Sequence, residues 1–225
     1  METFAKFGLY PTLQDTLMAL NKPELKGIGP ITELLRIYND AKSKHDNSCG
    51  AKKHPLIVLE GLDGCGKTSM GKVLAKKLHI VKHTTPPESI KHLRSYFDDN
   101  LMVRSAYYSL GNYIAALEIA SILRDSPVIM DRFWHSTIAF AIGQGIRDKS
   151  VLLLLVSEEE RIRRQSGREN VTQQELLLKN DLSFRKNVIL AYKFMREPSV
   201  VQINADGSFG KVLYVLKNEC TALIR

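Results

Sequence analysis

The sequence predicts an α/β fold in three layers, with a parallel sheet of about five strands and helices on both faces. Three observations carry this reading. Strand-like and helix-like segments alternate from His54 to the C-terminus. The strand-like runs, VLLLLV above all, are apolar without interruption, as strands covered on both faces require. Finally, LIVLEGLDGCGKTS at residues 56–69 sets a glycine-rich turn between such a strand and an amphipathic helix.

Taken in chain order, PLIVLE predicts the first strand and KLHIVKH a weaker second one. PPESIKHLRSYFDD predicts a short helix and RSAYYSLGNYIAALEIASILRD a long one. SPVIMD reads as a strand and the stretch through WHSTIAFAIGQG as a helix. KSVLLLLV is a strand, and SEEERIRRQ starts the next helix. TQQELLLKNDLSFRKNVILAYKFMREP is a long amphipathic helix, SVVQINA a last strand and GKVLYVLKNECTAL a last helix. Residues 1–53 precede this alternation and read as a helical appendage, with one apolar face in ITELLRIYNDAK, followed by the polar linker SKHDNSCGAKK. Residues 54–225, over which strand and helix signals alternate, read as the α/β domain.

Composition narrows the function classes. A net charge of +8 raises the question of nucleic acid, but the cations are dispersed and show no recognition signature. No nucleic-acid partner is therefore expected. No apolar run approaches the roughly 20 residues needed to span a bilayer, and no membrane partner is expected either. The N-terminus is a poor signal peptide and a poor presequence, because it carries acids and lacks an Arg/Ser-rich amphipathic pattern. Cys49, Cys65 and Cys220 have no CxxC spacing, which fits a reducing, intracellular compartment.

The chemistry concentrates at three places. Gly61, Gly66, Lys67 and Thr68 fill the G-x-x-x-x-G-K-S/T phosphate-loop pattern, in the strand–turn–helix context that the pattern needs. Backbone amides of Gly61, Leu62, Asp63, Gly64, Cys65, Gly66, Lys67, Thr68 and Ser69 would cradle the phosphates of ATP. Lys67 would bridge the β- and γ-phosphates, and the Thr68 hydroxyl would reach Mg²⁺. Second, the SPVIMD strand delivers Asp131 and Arg132 to the edge where open α/β sheets bind ligands. Asp131 can hold Mg²⁺ or its waters, and Arg132 can clamp a phosphate with a bidentate fork. Third, Arg161, Arg164 and Arg168 recur at helical spacing, as an exposed charged face or as a short arginine-rich lid that neutralises charge on a transferred phosphoryl group.

Together these segments resemble the thymidylate-kinase-like branch of the nucleoside monophosphate kinases, in EGLDGCGKT and in DRFWHS. AYYSLGNYIAALEIA and SPVIMDRFWHSTIAFAI are similar to its UMP-CMP kinase 2 type, a mitochondrial enzyme. The resemblance covers about residue 55 to the C-terminus. It implies phosphoryl transfer from ATP–Mg²⁺ to a pyrimidine nucleoside monophosphate (UMP, CMP, dUMP, dCMP or dTMP). It also implies that Arg132 and Asp63 serve the acceptor, that Tyr108 stacks on its base, and that adenine lies near Asn204 and Asp206. Asn112 stands near where thymidylate kinases carry a base-facing arginine, and Gly64 stands where some carry an arginine in the loop. The compensating charge is then expected from Arg164 and Arg168. Two alternatives stay open. One is a deoxynucleoside kinase with Glu60 as general base. The other is a nucleotide-binding pseudoenzyme, because the 143–150 connection is short for the family. Oligomeric state, a homodimer included, and compartment, mitochondrial or cytoplasmic, are not fixed by the sequence.

Overall fold

The structure, a computed structural model, describes residues 10, 12–46, 54–61, 64–99, 101–133, 149–165, 180, 182 and 200–224. Among the described residues the first elements are α1 (Leu13–Leu20), a 3-10 turn (Pro23–Leu25) and α2 (Gly29–Asp46). The sheet domain follows as β1 (Leu56–Gly61), α3 (Lys67–Leu78), β2 (Val81–Thr84), α4 (Glu88–Lys91), α5 (Arg94–Asp98) and α6 (Leu101–Ile122). It continues as β3 (Val128–Asp131), β4 (Lys149–Leu155), α7 (Glu158–Gln165), β5 (Val200–Asn204) and α8 (Phe209–Ile224).

The five strands are parallel and lie in the order β2-β3-β1-β4-β5. The chain therefore moves to one side of β1 for β2 and β3, and to the other for β4 and β5. Such a reversal opens a crevice at the carboxyl ends of the central strands. All six residues of β1 are buried, because helices cover both faces. Alternate side chains go to opposite layers. Leu56, Val58, Val128 and Met130 join the cluster around α6, whereas Ile57, Leu59 and Ile129 pack with Leu74 of α3 and Leu216 of α8. The expected fold class is the observed one.

Details differ from the expectation. The single helix expected over 86–99 is two short ones, α4 and α5, with a turn at His92 and Leu93 between them. The helix α1 is not among the individually expected elements. Its signal is local: Thr12 Oγ1 accepts the Asp15 N–H, and Asp15 Oδ2 accepts the Thr12 N–H, a reciprocal capping box. The helices expected over 134–145 and 172–198 lie outside the described residues, apart from Asn180 and Leu182 in the latter.

The described helices of the 1–53 segment share a core with α6. Leu20, Ile31, Leu34 and Tyr38 are buried in the same cluster as Tyr107, Leu110 and Ile114. Thr16 and Ser109 form a buried hydroxyl–hydroxyl hydrogen bond of 3.0 Å across this contact. Leu34 is fully buried, so Leu34→Ala would cost about 2–5 kcal/mol in lost transfer energy and cavity.

Candidate active site: a phosphate cavity at the ends of β1 and β3

β1 ends in Gly61 with φ +140, and a Cβ there would stand 2.5 Å from the Leu154 carbonyl oxygen and 2.8 Å from Cys65 Sγ. Only glycine lets the chain turn this close to β4. Gly66 then opens α3 in a left-handed conformation, φ +96. The helix N-terminus so formed leaves backbone N–H groups and a partial positive charge directed at the turn, a ready anion site. Lys67 is buried, and its Nζ donates to the Gly61 carbonyl at 2.9 Å and approaches Cys65 Sγ at 3.5 Å. The ammonium is thus folded back along the loop that it would share with a phosphate.

Beside this turn, β3 delivers Asp131 and Arg132. The pairing of Leu59 with Asp131 aligns the ends of the two strands. Asp131 is buried, and its carbonyl accepts the Thr85 N–H at 3.3 Å. Arg132 adopts φ +64, a left-handed conformation that costs a non-glycine residue about 1–3 kcal/mol. Two hydrogen bonds to β1 hold it there. The Arg132 N–H donates to the Leu59 carbonyl at 3.1 Å, and the Phe133 N–H donates to Glu60 Oε1 at 2.9 Å.

A cavity of about 180 Å³ results, lined by Gly64, Gly66, Lys67, Thr68, Ser69, Thr84, Thr85, Asp131 and Arg132. The two sequence signals, more than sixty positions apart, therefore meet in one polar space. Lys67 and Arg132 supply the cations, Thr68 and Asp131 the hard oxygen donors. Thr84 and Thr85 are not singled out by sequence. They belong because β2 runs parallel to β3, with Thr84 opposite Asp131. Leu62, Asp63 and Arg168 lie outside the described residues.

The other expected residues stand apart from this cavity. Asn204 and Asp206 form the turn after β5. There the Asp206 N–H donates to Asn204 Oδ1 at 2.9 Å, and Asp206 Oδ1 accepts the Ser157 N–H at 2.6 Å. Arg164 reaches the same turn. Its Nη2 donates to the Ala205 carbonyl at 2.8 Å and its Nε to Glu160 at 2.6 Å. Arg161 does not share its exposure, being 2% exposed and bonded to Glu158. Hydrogen bonds from Arg163 and Arg164 hold the Glu160 carboxyl down at about 2.

On α6, the Tyr108 hydroxyl donates to Asp98 Oδ1 at 2.9 Å, and Arg104 lies 5.9 Å from the centre of the ring. Burial pushes the Tyr108 phenol up, with the Asp98 charge adding to it. Arg104 is 6% exposed and pairs loosely with Asp98 at 3.4 Å, and its Nε and Nη2 have no hydrogen-bond partner among the described residues. Asn112 lies one turn further along α6, half-buried. A second, wider groove of about 460 Å³ runs between α2 and α6, where Glu118 accepts from Ser89 and pairs with His83. Among the described residues no group of three metal-ligating side chains occurs, and no helix is long and apolar enough to cross a membrane.

Comparison with known proteins places this site in a family. The family model described as thymidylate kinase matches residues 59–213, which takes in the glycine turn, β3 and the Arg-rich helix. The human protein named UMP-CMP kinase 2, mitochondrial, is 37% identical over 185 residues, covering 72% of this chain and 41% of its own. A thymidylate kinase of Prochlorococcus marinus (strain NATL1A) is 29% identical over 212 residues, covering 77% of this chain and 99% of its own. The solved thymidylate kinase of Candida albicans superposes with a TM-score of 0.54 at 16% identity, over 77% of this chain and 94% of that one, a likeness of fold. The chain spans less than half the length of the human relative. A family match over residues 59–213, from the end of β1 into α8, leads to one assignment: the chain belongs to the thymidylate kinase family.

Proposed function

We propose that the chain transfers the γ-phosphoryl group of ATP to the phosphate of a pyrimidine nucleoside monophosphate, giving ADP and the diphosphate. The observation that carries this reading is the cavity shared by Lys67 and Arg132, two cations from different elements, the start of α3 and the end of β3. One serves the donor phosphates from the glycine turn, and the other faces them from the side where an acceptor phosphate would enter. An acceptor phosphate oxygen attacks the γ-phosphorus in line, while the bond to the bridging oxygen of ADP breaks. The attacking acceptor oxygen is already anionic at neutral pH, so the reaction needs no general base. Rate then comes from positioning and from charge neutralisation.

Thr68 and Asp131 fit Mg²⁺, which takes one or two protein oxygens and completes its shell with phosphates and water. When bound with ATP, the ion neutralises charge on the β- and γ-phosphates. Lys67 exchanges its bond to Gly61 for a phosphate oxygen. Arg132, fixed at its backbone, orients the acceptor. Arg164 and Arg168 complete the charge compensation from the lid side, with Asn204 and Asp206 at the adenine, and Asp63, Tyr108 and Asn112 at the acceptor. The human relative's name supports a mitochondrial location, which imaging of a tagged full-length protein against a matrix marker tests.

The decisive experiment is ADP production from ATP–Mg²⁺ with UMP, CMP, dUMP, dCMP or dTMP. Acceptor-dependent turnover supports the proposal and ranks the substrates. Tight ATP binding with no turnover on any acceptor would overturn it in favour of a nucleotide-binding role.

A further inference from the structure

Glu60 is a fully buried carboxylate at the end of β1, one residue before the glycine turn, and it does not line the phosphate cavity. Burying a carboxylate is costly unless its charge is compensated by hydrogen bonds. Here Oε1 accepts the N–H of Phe133, 73 residues away, at 2.9 Å. The preceding residue of β1, Leu59, accepts the N–H of Arg132 at 3.1 Å. Two consecutive residues of one strand therefore grip two consecutive amides beyond its neighbour. Between those grips sits Arg132, in a left-handed conformation that arginine does not favour.

We infer that Glu60 is a positioning residue for Arg132: its carboxylate clamps the Phe133 amide, fixes the left-handed backbone of Arg132, and so aims the guanidinium into the phosphate cavity. The inference rests on the reading that Arg132 holds the acceptor phosphate. Its physical basis is geometric. The direction in which a side chain leaves the backbone is set by φ and ψ, and a relaxed, negative φ at residue 132 would swing the Cα–Cβ bond to another side of the strand end. A backbone carbonyl grips only one of the two amides, and the side-chain carboxylate supplies the second point that stops rotation between them. The same bond argues against Glu60 as a general base. A base must reach the proton that it removes, and this carboxylate faces inward from the cavity, committed to a backbone amide.

The test compares Glu60→Gln with Glu60→Ala, alone and combined with Arg132→Ala, with thermal melting of each variant as a control. Glutamine keeps a carbonyl oxygen for the Phe133 amide but cannot take a proton from a substrate hydroxyl. A positioning role predicts that Glu60→Gln retains kcat/KM for the acceptor within about tenfold. Glu60→Ala should lose about 100-fold, the scale of a misplacement of about 1 Å. The loss should fall on the acceptor, with the KM for ATP little changed, and Glu60→Ala should add almost nothing in the Arg132→Ala background. Loss of about 100-fold or more in Glu60→Gln, with turnover of nucleosides in the wild type, would overturn the inference in favour of a base. Equal losses for ATP and acceptor, or full additivity with Arg132→Ala, would overturn it in favour of a general structural role. Glu60→Gln is isosteric and decides the matter should Glu60→Ala not fold. If the wild type turns over no acceptor, the proposed function fails by itself. Calorimetric binding of dTMP and UMP to the same variants then still reads the clamp, which predicts weakening in Glu60→Ala and rescue in Glu60→Gln.

Discussion

The cations of this molecule are held in two contrasting ways. Around the cavity at β1 and β3, Lys67 and Arg132 are fixed by groups far away in the fold or by backbone: the Gly61 carbonyl, the Leu59 carbonyl and, through Phe133, the Glu60 carboxylate. On α7, Arg161, Arg163 and Arg164 are paired with Glu158 and Glu160 of their own helix, three or four residues away. The first arrangement sets the direction of Arg132 before any ligand arrives, because backbone on two strands must move to change it, and it keeps the Lys67 ammonium at the glycine turn. In the second, Arg161 is buried and Arg164 also donates to the Ala205 carbonyl, so the exchangeable contacts are those to Glu160, above all from the exposed Arg163, since ion pairs at helical spacing near the surface are worth only a fraction of a kcal/mol up to about 1. A phosphate can displace a carboxylate from such a pair at little cost. Preorganised cations suit the floor of a transfer site, and exchangeable ones suit its cover.

Lys67→Ala tests the preorganised half most severely. Transfer should fall by about 1000-fold or more, since a central charge-stabilising group is lost, while the melting temperature changes little. Retained turnover in a rate assay would remove Lys67 from the reaction. Gly61→Ala comes next. Its Cβ would overlap the Leu154 carbonyl at 2.5 Å, so the turn must shift, and ATP binding measured by calorimetry should weaken by about 100-fold. Normal affinity would show that the turn adapts and that preorganisation is not needed there. Arg132→Lys should cost about 10-fold or more in kcat/KM for the acceptor and little in KM for ATP, because an ammonium lacks the guanidinium fork. An equal effect on both substrates would blur the division between donor and acceptor cations.

The exchangeable half predicts smaller effects. Glu160→Gln weakens the pairs to Arg163 and Arg164, and the KM for ATP should drop by at most about fivefold as the guanidiniums are released to phosphate. A rise in KM would mean that Glu160 presents Arg164 rather than restrains it. The pH dependence follows in sign from the same pairs. The Glu160 carboxyl is lowered from the ordinary 4.5 to about 2, so its contribution to α7 is complete above pH 4.5 and disappears as pH falls through 2. Carboxyl-carbon NMR should show its titration midpoint near 2, and a midpoint near 4.5 would mean that the pairs do not persist in solution.

Some of this was legible because it is local. The glycine turn, the start of the helix behind it and the uninterrupted apolar strands each depend on residues within a few positions of one another. The split of residues 86–99 into α4 and α5 was less legible, since Pro86 and Pro87 mark the start of the segment and nothing comparable marks the turn at His92 and Leu93. The α1 helix was legible in principle through Thr12 and Asp15, yet its short apolar run carries little weight until α6 is there to receive it. Spacing aligned Arg161 with Arg164 and Arg168, as a charged face or a lid, and could not show that Arg161 is buried against Glu158; Arg168 lies outside the described residues.

The sequence by itself determined the fold class, the phosphate turn and the strand that carries Asp131 and Arg132. Periodicity, glycine and charge at fixed spacing are properties of neighbouring residues, and they survive without knowledge of what packs on them. Only the tertiary structure decided that Glu60 faces the Phe133 amide, that Arg132 is left-handed, that Thr84 and Thr85 join the cavity, and that the Tyr108 hydroxyl is tied to Asp98. Each of these depends on strand order and register, which bring residues far apart in the chain within hydrogen-bond reach. The energy of such a contact is fixed by burial and distance, and neither is written in the local pattern.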